Sequence, residues 1–463
     1  MTLTNTSGEV ILSSNNGQVI DAVNYSDEWY KDTRKSDGGW SLELINPDRP
    51  CDVSGENWRA SENGNGGTPG RPNSILNAIP DEIFAGLVRV FPLDSITIRL
   101  FFEESLDEQT AADAANYTIN DLNVAEAFAE SPYFNTVLLK LQTPAVRNTL
   151  YTITLSNNFS DCQGNRIGNG RTGTFALPDV AESMDMVINE VLFNPATGGV
   201  DFLEIYNRSE KILNLGDLII ASRLGTSLSD AVPVAQNYLL FPDSYAVFTS
   251  SPQDIASRYQ VEFPDALIMN NLPSLDDKEG TIVVYRAGDL QEVVLDEFSY
   301  SNTFHNALLD DENGVSLERI NPNSNTQDAS NWHSAAASVG FATPTYRNSQ
   351  FLLTATTNTA FSVATPTISP DGDGFQDFLL IDYQLEEAGF LANVALFDAE
   401  GQLVKEIAKS ELLALEGQLK WDGDLDNGEK ARIGIYLLLV EYFSPSGKVN
   451  IFQTPIVVAT RLE

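Results

Sequence analysis

This sequence predicts an all-β chain built from tandem β-sandwich domains, and three observations carry the prediction. Short runs rich in β-branched and aromatic residues recur along it, among them SITIRLFF (95–102), TVLLKLQ (136–142), LYTITLS (150–156), GTIVVYRAG (280–288) and IGIYLLLVEYF (433–443). Asn, Gly, Asp, Ser and Pro cluster between them, as strands joined by tight turns require. Helical patterns are few and short: DEQTAADAANY (107–117) and SPQDIASRY (251–259), each opened by a residue whose side-chain oxygen can cap a helix. Many strands, frequent turns and little helix fit packed antiparallel sheets.

The 463 residues suffice for two to four domains at about 100–200 residues each. Acidic residues number 65 and basic residues 27, and 27 − 65 = −38. A field of that sign repels phosphate backbones and anionic lipid, which argues against nucleic acid as a partner. It suits cation binding and an extracellular medium. His305 and His333 are the only histidines, so a histidine-based triad or zinc centre is disfavoured. No apolar run approaches the ~18 residues that cross a membrane. The opening MTLTNTSGEV has neither a basic nor an apolar signal-peptide region.

An internal repeat sets the domain plan. GWSLELINPDRPCDVSGENWRASENGNGGTPGRPNS (39–74) matches GVSLERINPNSNTQDASNWHSAAASVGFATPTYRNS (314–349), and the strand VIDAVNYS (19–26) matches VLDEFSYS (294–301). A spacing this long means a duplicated domain rather than a solenoid. The second copy has an earlier half beginning MVINEVLFNPATGGVDFLEIYN (186–207), which the first lacks. The expectation is a fragment, with the completing portion and any signal peptide upstream of Met1. Four units follow: a partial repeat domain at 1–77, a sandwich at 80–178, a complete repeat domain at 186–350 after the linker DVAESMD (179–185), and a C-terminal domain at 358–463 after a Thr/Asn/Ala stretch (354–365). Half a sandwich leaves unpaired edges and an open core, so 1–77 should not close on its own.

The repeat resembles the lamin tail domain, an immunoglobulin-like sandwich, through INEVLFNP (188–195), DFLEIYNRSEKILNLGDLII (201–220), GVSLERINP (314–322), SNW (330–332) and ATPTYRNS (342–349). Leu203, Ile205, Leu213, Leu215, Ile219 and Ile220 read as strand core, and Trp332 as the cover of an open end of the sandwich. Glu190, Glu204 and Glu318 sit in these motifs and read as structural, bonding turn backbones or Arg319. The resemblance implies an accessory module on a secreted protein. Residues 80–178 resemble the immunoglobulin-like domains of bacterial surface-layer and adhesive proteins through ITIRLFFEESLDEQTAADAANYTIN (96–120) and YTITLSNNFSDCQGNRI (151–167). In the latter, Asp161 and Asn165 read as fixing a turn. The C-terminal unit resembles the immunoglobulin-like domain of the flagellar hook-capping protein and the terminal domains of Bacteroidota surface proteins. ATPTISPDGDGFQD (364–377), ALFDAEGQLVKEI (395–407) and WDGDLDNGEKARIGIYLLLVEY (421–442) carry that likeness. It implies a role in the type IX secretion route.

Two acidic loops carry distinct chemistry. In DGDGFQD (371–377), Asp371, Asp373 and Asp377 alternate around glycines, as in the first half of a calcium loop, although the distal bidentate Glu is missing. Ca²⁺, a hard and oxygen-seeking ion, is the candidate cofactor, and a solvated acidic turn is the alternative. In DGDLDNG (422–428), Asp422, Asp424 and Asp426 alternate in the same way, but Asp-Asn-Gly is itself a strong turn former. Cys51 and Cys162 either pair across the 1–77/80–178 junction or remain free thiols.

Two classes of function fit. The first is a non-enzymatic, modular, secreted or cell-surface protein. Its sandwiches would serve as spacers and interaction modules, and its last domain would serve export or anchoring. Its partners would be an extracellular protein or polysaccharide, with the secretion machinery. The second is the accessory region of a secreted hydrolase whose catalytic domain lies upstream. Asp and Glu are plentiful enough that a carboxylate pair of the glycosidase kind stays open, but no Ser, Cys or His stands in an activated context, which favours the first.

Overall fold

The computed structural model describes residues 3–53, 55–77, 84, 86–168, 171–288, 292–307, 309, 311–352 and 360–459. Parts of the sequence-defined junctions, 80–83 and 354–359, lie outside them. The chain forms two compact units, Met1–Asp179 and Val180–Glu463, and each holds two of the four segments set out above. The architecture is all-β, with sheets of two to six strands.

In the first unit, residues 87–175 make a sandwich. One sheet runs in the order Leu87–Pro92, Thr97–Phe102, Thr136–Leu141, Val124–Ala129, and the other Thr172–Phe175, Tyr151–Leu155, Tyr117–Ile119. Burial alternates along Thr136–Leu141 and Tyr151–Leu155, the period-2 signature of a sheet with one face in the core. Phe102 stacks on Phe159 at 5.3 Å between ring centroids. The helical window at 107–117 forms Glu108–Ala112, capped by the Asp107 carboxylate accepting from Thr110 N, and then a 3₁₀ turn at Ala114–Asn116. It splits because Asp113 takes an extended conformation and caps the second turn through Ala115 N.

Residues 3–77 hold two separate two-stranded sheets, Ser7–Ser13 with Val19–Ser26 and Leu42–Leu44 with Trp58–Ala60. They are tied to the sandwich by the Cys51–Cys162 disulfide. Beside it, Ser105 N donates to Cys51 O at 2.7 Å and Cys162 N donates to Ser105 O at 3.0 Å. Gln163 adds a bond from its side-chain amide to Asp48 O at 2.6 Å.

In the second unit, the complete repeat packs a six-stranded sheet on a four-stranded one. The first runs Leu267–Met269, Tyr245–Thr249, Phe202–Asn207, Met186–Leu192, Leu317–Arg319, Trp332–Ser334, and the second Ser227–Pro233, Leu218–Leu224, Glu279–Arg286, Val293–Ser301. Leu203, Ile205, Leu213, Leu215 and Ile220 lie in the core between them. Ile219 does not. It belongs to a small cluster with Ala221, Val283 and Tyr285, because neighbours on a strand face opposite sides. Trp332 stacks on Phe298 with centroids 3.7 Å apart. The two residues stand on the edge strands of the two sheets, so the stack closes that side of the sandwich. Pro252–Arg258 is helical, with Ser251 as cap and Pro252 in its first turn.

The C-terminal domain pairs a three-stranded sheet (Phe361–Ser362, Leu379–Gln384, Glu416–Trp421) with a five-stranded one (Thr367–Ile368, Val449–Val458, Gly434–Phe443, Leu391–Phe397, Leu403–Leu412) around Trp421, Phe361 and Phe390. It is bonded directly to the end of the repeat domain. Leu415 N donates to Ser349 O at 2.8 Å, and the Gln350 side-chain amide donates to Leu413 O at 3.1 Å.

The disulfide joins residues 111 positions apart, and closing a loop of that length restricts the unfolded chain by about 4–5 kcal/mol in the chain-entropy account. Replacing both cysteines by Ser should lower the denaturant stability of the first unit by a loss of that order. A loss under about 1 kcal/mol would show that the bridge adds little beyond the contacts around it.

Candidate functional site

The most heavily perturbed carboxyl groups lie in the complete repeat. Glu190, Glu204 and Glu318 occupy three adjacent strands and stand opposite one another in register, Glu190 against Glu204 on one side and against Glu318 on the other. All three are fully buried. Their neighbours Val191, Leu203 and Leu317 point into the core, so the carboxyls project from the sheet's other face. The segment 341–350 lies over that face.

Every carboxyl oxygen in the row is engaged. Glu190 accepts from Ser316 Oγ and, at 2.9 Å, from Thr343 N on one oxygen, and faces Thr343 Oγ1 at 3.2 Å with the other. Glu318 faces Thr343 Oγ1 at 2.8 Å and accepts from Ser349 Oγ and Gln350 N, both at 2.8 Å. Glu204 accepts from the Asn189 side-chain amide at 2.8 Å and from Thr345 N at 2.6 Å. Thr345 has φ of 79° and Phe341 of 71°, an uncommon left-handed conformation for residues with a Cβ. The carboxyls therefore clamp a strained turn.

Thr343 Oγ1 carries one hydrogen but lies within bonding distance of two carboxyls, Glu190 and Glu318. Only a protonated carboxyl can donate the second bond, so the geometry calls for a shared proton. Burial, then the neighbouring Glu318 charge, raises Glu190 to about 8. Burial and the Glu190 charge raise Glu204 well above the ordinary range, and burial raises Glu318. Removing several carboxylates from water together is costly unless some stay neutral.

The expectation that these glutamates bond turn backbones or Arg319 divides. They bond the turn, but Arg319 faces the other way, into the core with Leu317. There it pairs with Asp296 at 3.0 Å and donates to Ile188 O, Ser324 O and Thr326 Oγ1. Asp296 was not singled out from the sequence, and nothing in VLDEFSYS distinguishes it from a surface Asp. Both histidines are spent structurally. His305 Nδ1 is bonded with Ser334 Oγ at 3.0 Å, and burial depresses it to about 4 and lowers His333 as well.

The first repeat copy keeps one member of the row. Glu43 accepts from Thr68 Oγ1 at 2.6 Å and from Ser74 N and Oγ, both at 2.7 Å, which are the counterparts of Thr343 and Ser349. Burial would raise it, but the hydrogen bonds from Thr68, Ser74 and Ser61 outweigh burial and hold it at about 2.

Of the two acidic loops, the first gathers. Carboxylate oxygens of Asp371, Asp373 and Asp377 lie within 4.8 Å of one another. Asp377 accepts from Gly372 N at 2.7 Å and from Gly374 N at 2.8 Å, and Asp373 accepts from Phe375 N at 2.8 Å. Gly372 and Gly374 have φ of 81° and 87°, so the turn needs their freedom. Asp422, Asp424 and Asp426 do not form such a group among the described residues. Asp424 pairs with Lys430 at 2.8 Å and Asp426 with Lys405 at 3.4 Å. In Asp161, the other candidate turn-former, one carboxylate oxygen accepts from Gln163 N and Asn165 N and the other from the Asn165 side chain.

The carboxyl row makes the repeat domain's stability pH-dependent. A folded carboxyl held above its unfolded value contributes stability that is complete below about pH 4.5 and lost as pH rises towards about 8. The depressed histidines act below about 6.5 with the opposite slope. Between about pH 6.5 and 8 the histidines no longer contribute, and the row shares the window with Asp201, which burial and the Asp277 charge raise to about 7. The melting temperature of the second unit should fall across that window in calorimetry. Glu190→Gln should flatten the fall, and an unchanged slope would assign the titration elsewhere.

No family model matches the chain, and no curated protein does. Solved structures overlap with it at low similarity. CopC from Methylosinus trichosporium shares 15% identity at a TM-score of 0.16, over 22% of this chain and 89% of that one. Domains 1–6 of the surface layer protein SbsC share 9% at 0.19, over 82% of this chain and 55% of that one. A Bacteroides thetaiotaomicron protein of the DUF4876 family shares 14% at 0.21, over 44% and 83%. The chain thus spans about half the length of the SbsC structure.

Proposed function

We propose that the chain is a non-enzymatic module string of the cell surface or extracellular space. Its sandwiches act as spacers and interaction modules, and its last domain serves export or anchoring. The observation that carries this reading is the accounting of the carboxyl row. The residues with the strongest site-like perturbation have every oxygen engaged by the fold and none open to solvent, so they hold a turn rather than a substrate. The resemblances to lamin tail, surface-layer and hook-capping-type domains point the same way, as does the excess of negative charge.

The last domain also exposes an apolar sheet face. Ile435, Leu437, Val449, Ile451 and Val457 are all exposed, and Ile435 stands opposite Val457 on neighbouring strands. Apolar area of this kind commonly marks a contact surface. Ile435→Asp with Ile451→Asp should leave melting within about 1 kcal/mol of the parent while cutting surface retention or release, measured by fractionating producing cells. Unchanged distribution would remove the export role. Turnover of phosphoester, glycoside or ester substrates by the purified chain, abolished by an Asp or Glu substitution, would overturn the non-enzymatic reading.

Asp371, Asp373 and Asp377 are the residues we propose to hold Ca²⁺. Three carboxylates converge there and repel one another without a cation, and their donor set is hard oxygen throughout. Binding should stabilise the C-terminal domain by RT ln(1 + [Ca²⁺]/Kd), about 2.7 kcal/mol at a hundredfold excess over Kd. At affinities of ~10⁻⁴–10⁻³ M the effect belongs at millimolar calcium. Melting of the full chain in chelator, CaCl₂ and MgCl₂ tests this. A calcium response that survives Asp373→Ala, or that magnesium matches, reduces the loop to an acidic turn.

A further inference from the structure

The two repeat copies share more than sequence. In the first, Gly8 stands opposite Tyr25, and a Cβ on Gly8 would lie 2.6 Å from the Tyr25 hydroxyl. In the second, Gly280 stands opposite Tyr300 with the same collision at 2.5 Å. Leu12 faces Asp21 as Val284 faces Asp296. Asn57 and Asn46 exchange side-chain and backbone bonds as Asn331 and Asn321 do.

What differs is cover. In the complete copy the Glu279–Arg286 strand has Leu218–Leu224 on its far edge, and Leu317–Arg319 has Met186–Leu192. Their counterparts, Ser7–Ser13 and Leu42–Leu44, have a sheet neighbour on one edge only among the described residues. Ile20 is 63% exposed where Leu295 is 0%, and Leu12 is 57% exposed where Val284 is 1%. A polar catch is also in place. Asn348 donates both to Arg319 O on its own side and to Asn189 O on the neighbouring strand, each at 2.9 Å. Asn73 makes the first of these bonds, to Leu44 O at 2.9 Å.

We propose that these two open edges and the apolar face between them form a docking surface for a polypeptide carrying the early half of this same repeat. Its strands would be patterned like 186–224, with one adding beside Leu42–Leu44 and another beside Ser7–Ser13. The complete copy supplies the argument for this occupant. The same two edges and the same inner face are covered there by those strands, and the first copy preserves, residue for residue, the register of the strand pairs that present the edges. Strand addition satisfies the open backbone groups, and alternate side chains fill the face.

The test is the full chain with a second copy of residues 186–278 placed directly before Ser7. Amide exchange across Ser7–Ser13 and Val19–Ser26 should slow by about tenfold or more relative to the parent chain, and Ile20→Asp in the extended chain should restore the parent rate. Exchange unchanged by the added segment overturns the proposal. So does a parent chain that is already protected there and runs at twice its mass, since the open edges of two copies would then pair with each other.

Discussion

The row formed by Glu190, Glu204 and Glu318 is the interaction on which the second unit depends. A sheet buried on both faces needs its outer face covered, and here the helix Pro252–Arg258 covers part of it through Ile255 while the irregular segment 341–350 covers the carboxyl row. Irregular backbone brings N–H groups under cover with no ladder to receive them. The carboxyls receive Thr343, Thr345 and Gln350. That third bond reaches further, because Gln350 and Ser349 make the contacts to Leu413 and Leu415 of the C-terminal domain. The glutamate that seats the end of one domain thus positions the attachment of the next.

The comparison with Glu43 separates the grip from its cost. Glu43 and Glu318 hold equivalent partners, yet one carboxyl is pulled down and the other pushed up. Hydrogen bonds favour the charged form in both places. The difference lies in full burial and in two more carboxyls on the neighbouring strands, which the first copy lacks. An acceptor that suffices alone becomes strained in a row of three, and protonation relieves the row while leaving its acceptor oxygens in use. A one-residue slip of any of the three strands would turn its carboxyl into the apolar core, so the row also fixes register.

Local features were legible in the sequence. Strand runs, the caps at Asp107 and Ser251, the Asp161 turn and the duplicated motifs all follow from residues a few positions apart. The convergence of Asp371, Asp373 and Asp377 was legible for the same reason. What escaped was long-range. Glu190 and Glu318 belong to segments that only the sheet order brings together, and the Asp296–Arg319 pair needs strand alternation as well as topology. Ile219 was assigned to the core because an apolar pair, Ile219-Ile220, does not say which member faces inward. Asp422, Asp424 and Asp426 do not converge among the described residues, because spacing shows where carboxylates can converge and not which lysines, here Lys405 and Lys430, pair with them.

The two repeat copies also show two ways of stabilising one motif. In the complete copy, covering strands bury Leu295 and Val284, and the carboxyl row fastens the closing segment. In the first copy those covering strands are not present on the described residues, and the segment around Asn46 and Asn57 keeps its fold through short-range polar bonds and Glu43. Its attachment to the neighbouring sandwich runs through Cys51, which bonds Cys162 and accepts from Ser105 N, through Asp48 O, which accepts from Gln163, and through Glu9, which accepts from the Tyr133 hydroxyl at 2.8 Å. These contacts are polar or covalent, and Leu12 and Ile20 stay exposed despite them. The covalent bridge holds the half-repeat in place but cannot replace the apolar burial that the covering strands provide in the complete copy, because a cross-link restricts the unfolded chain and burial alone removes apolar surface from water.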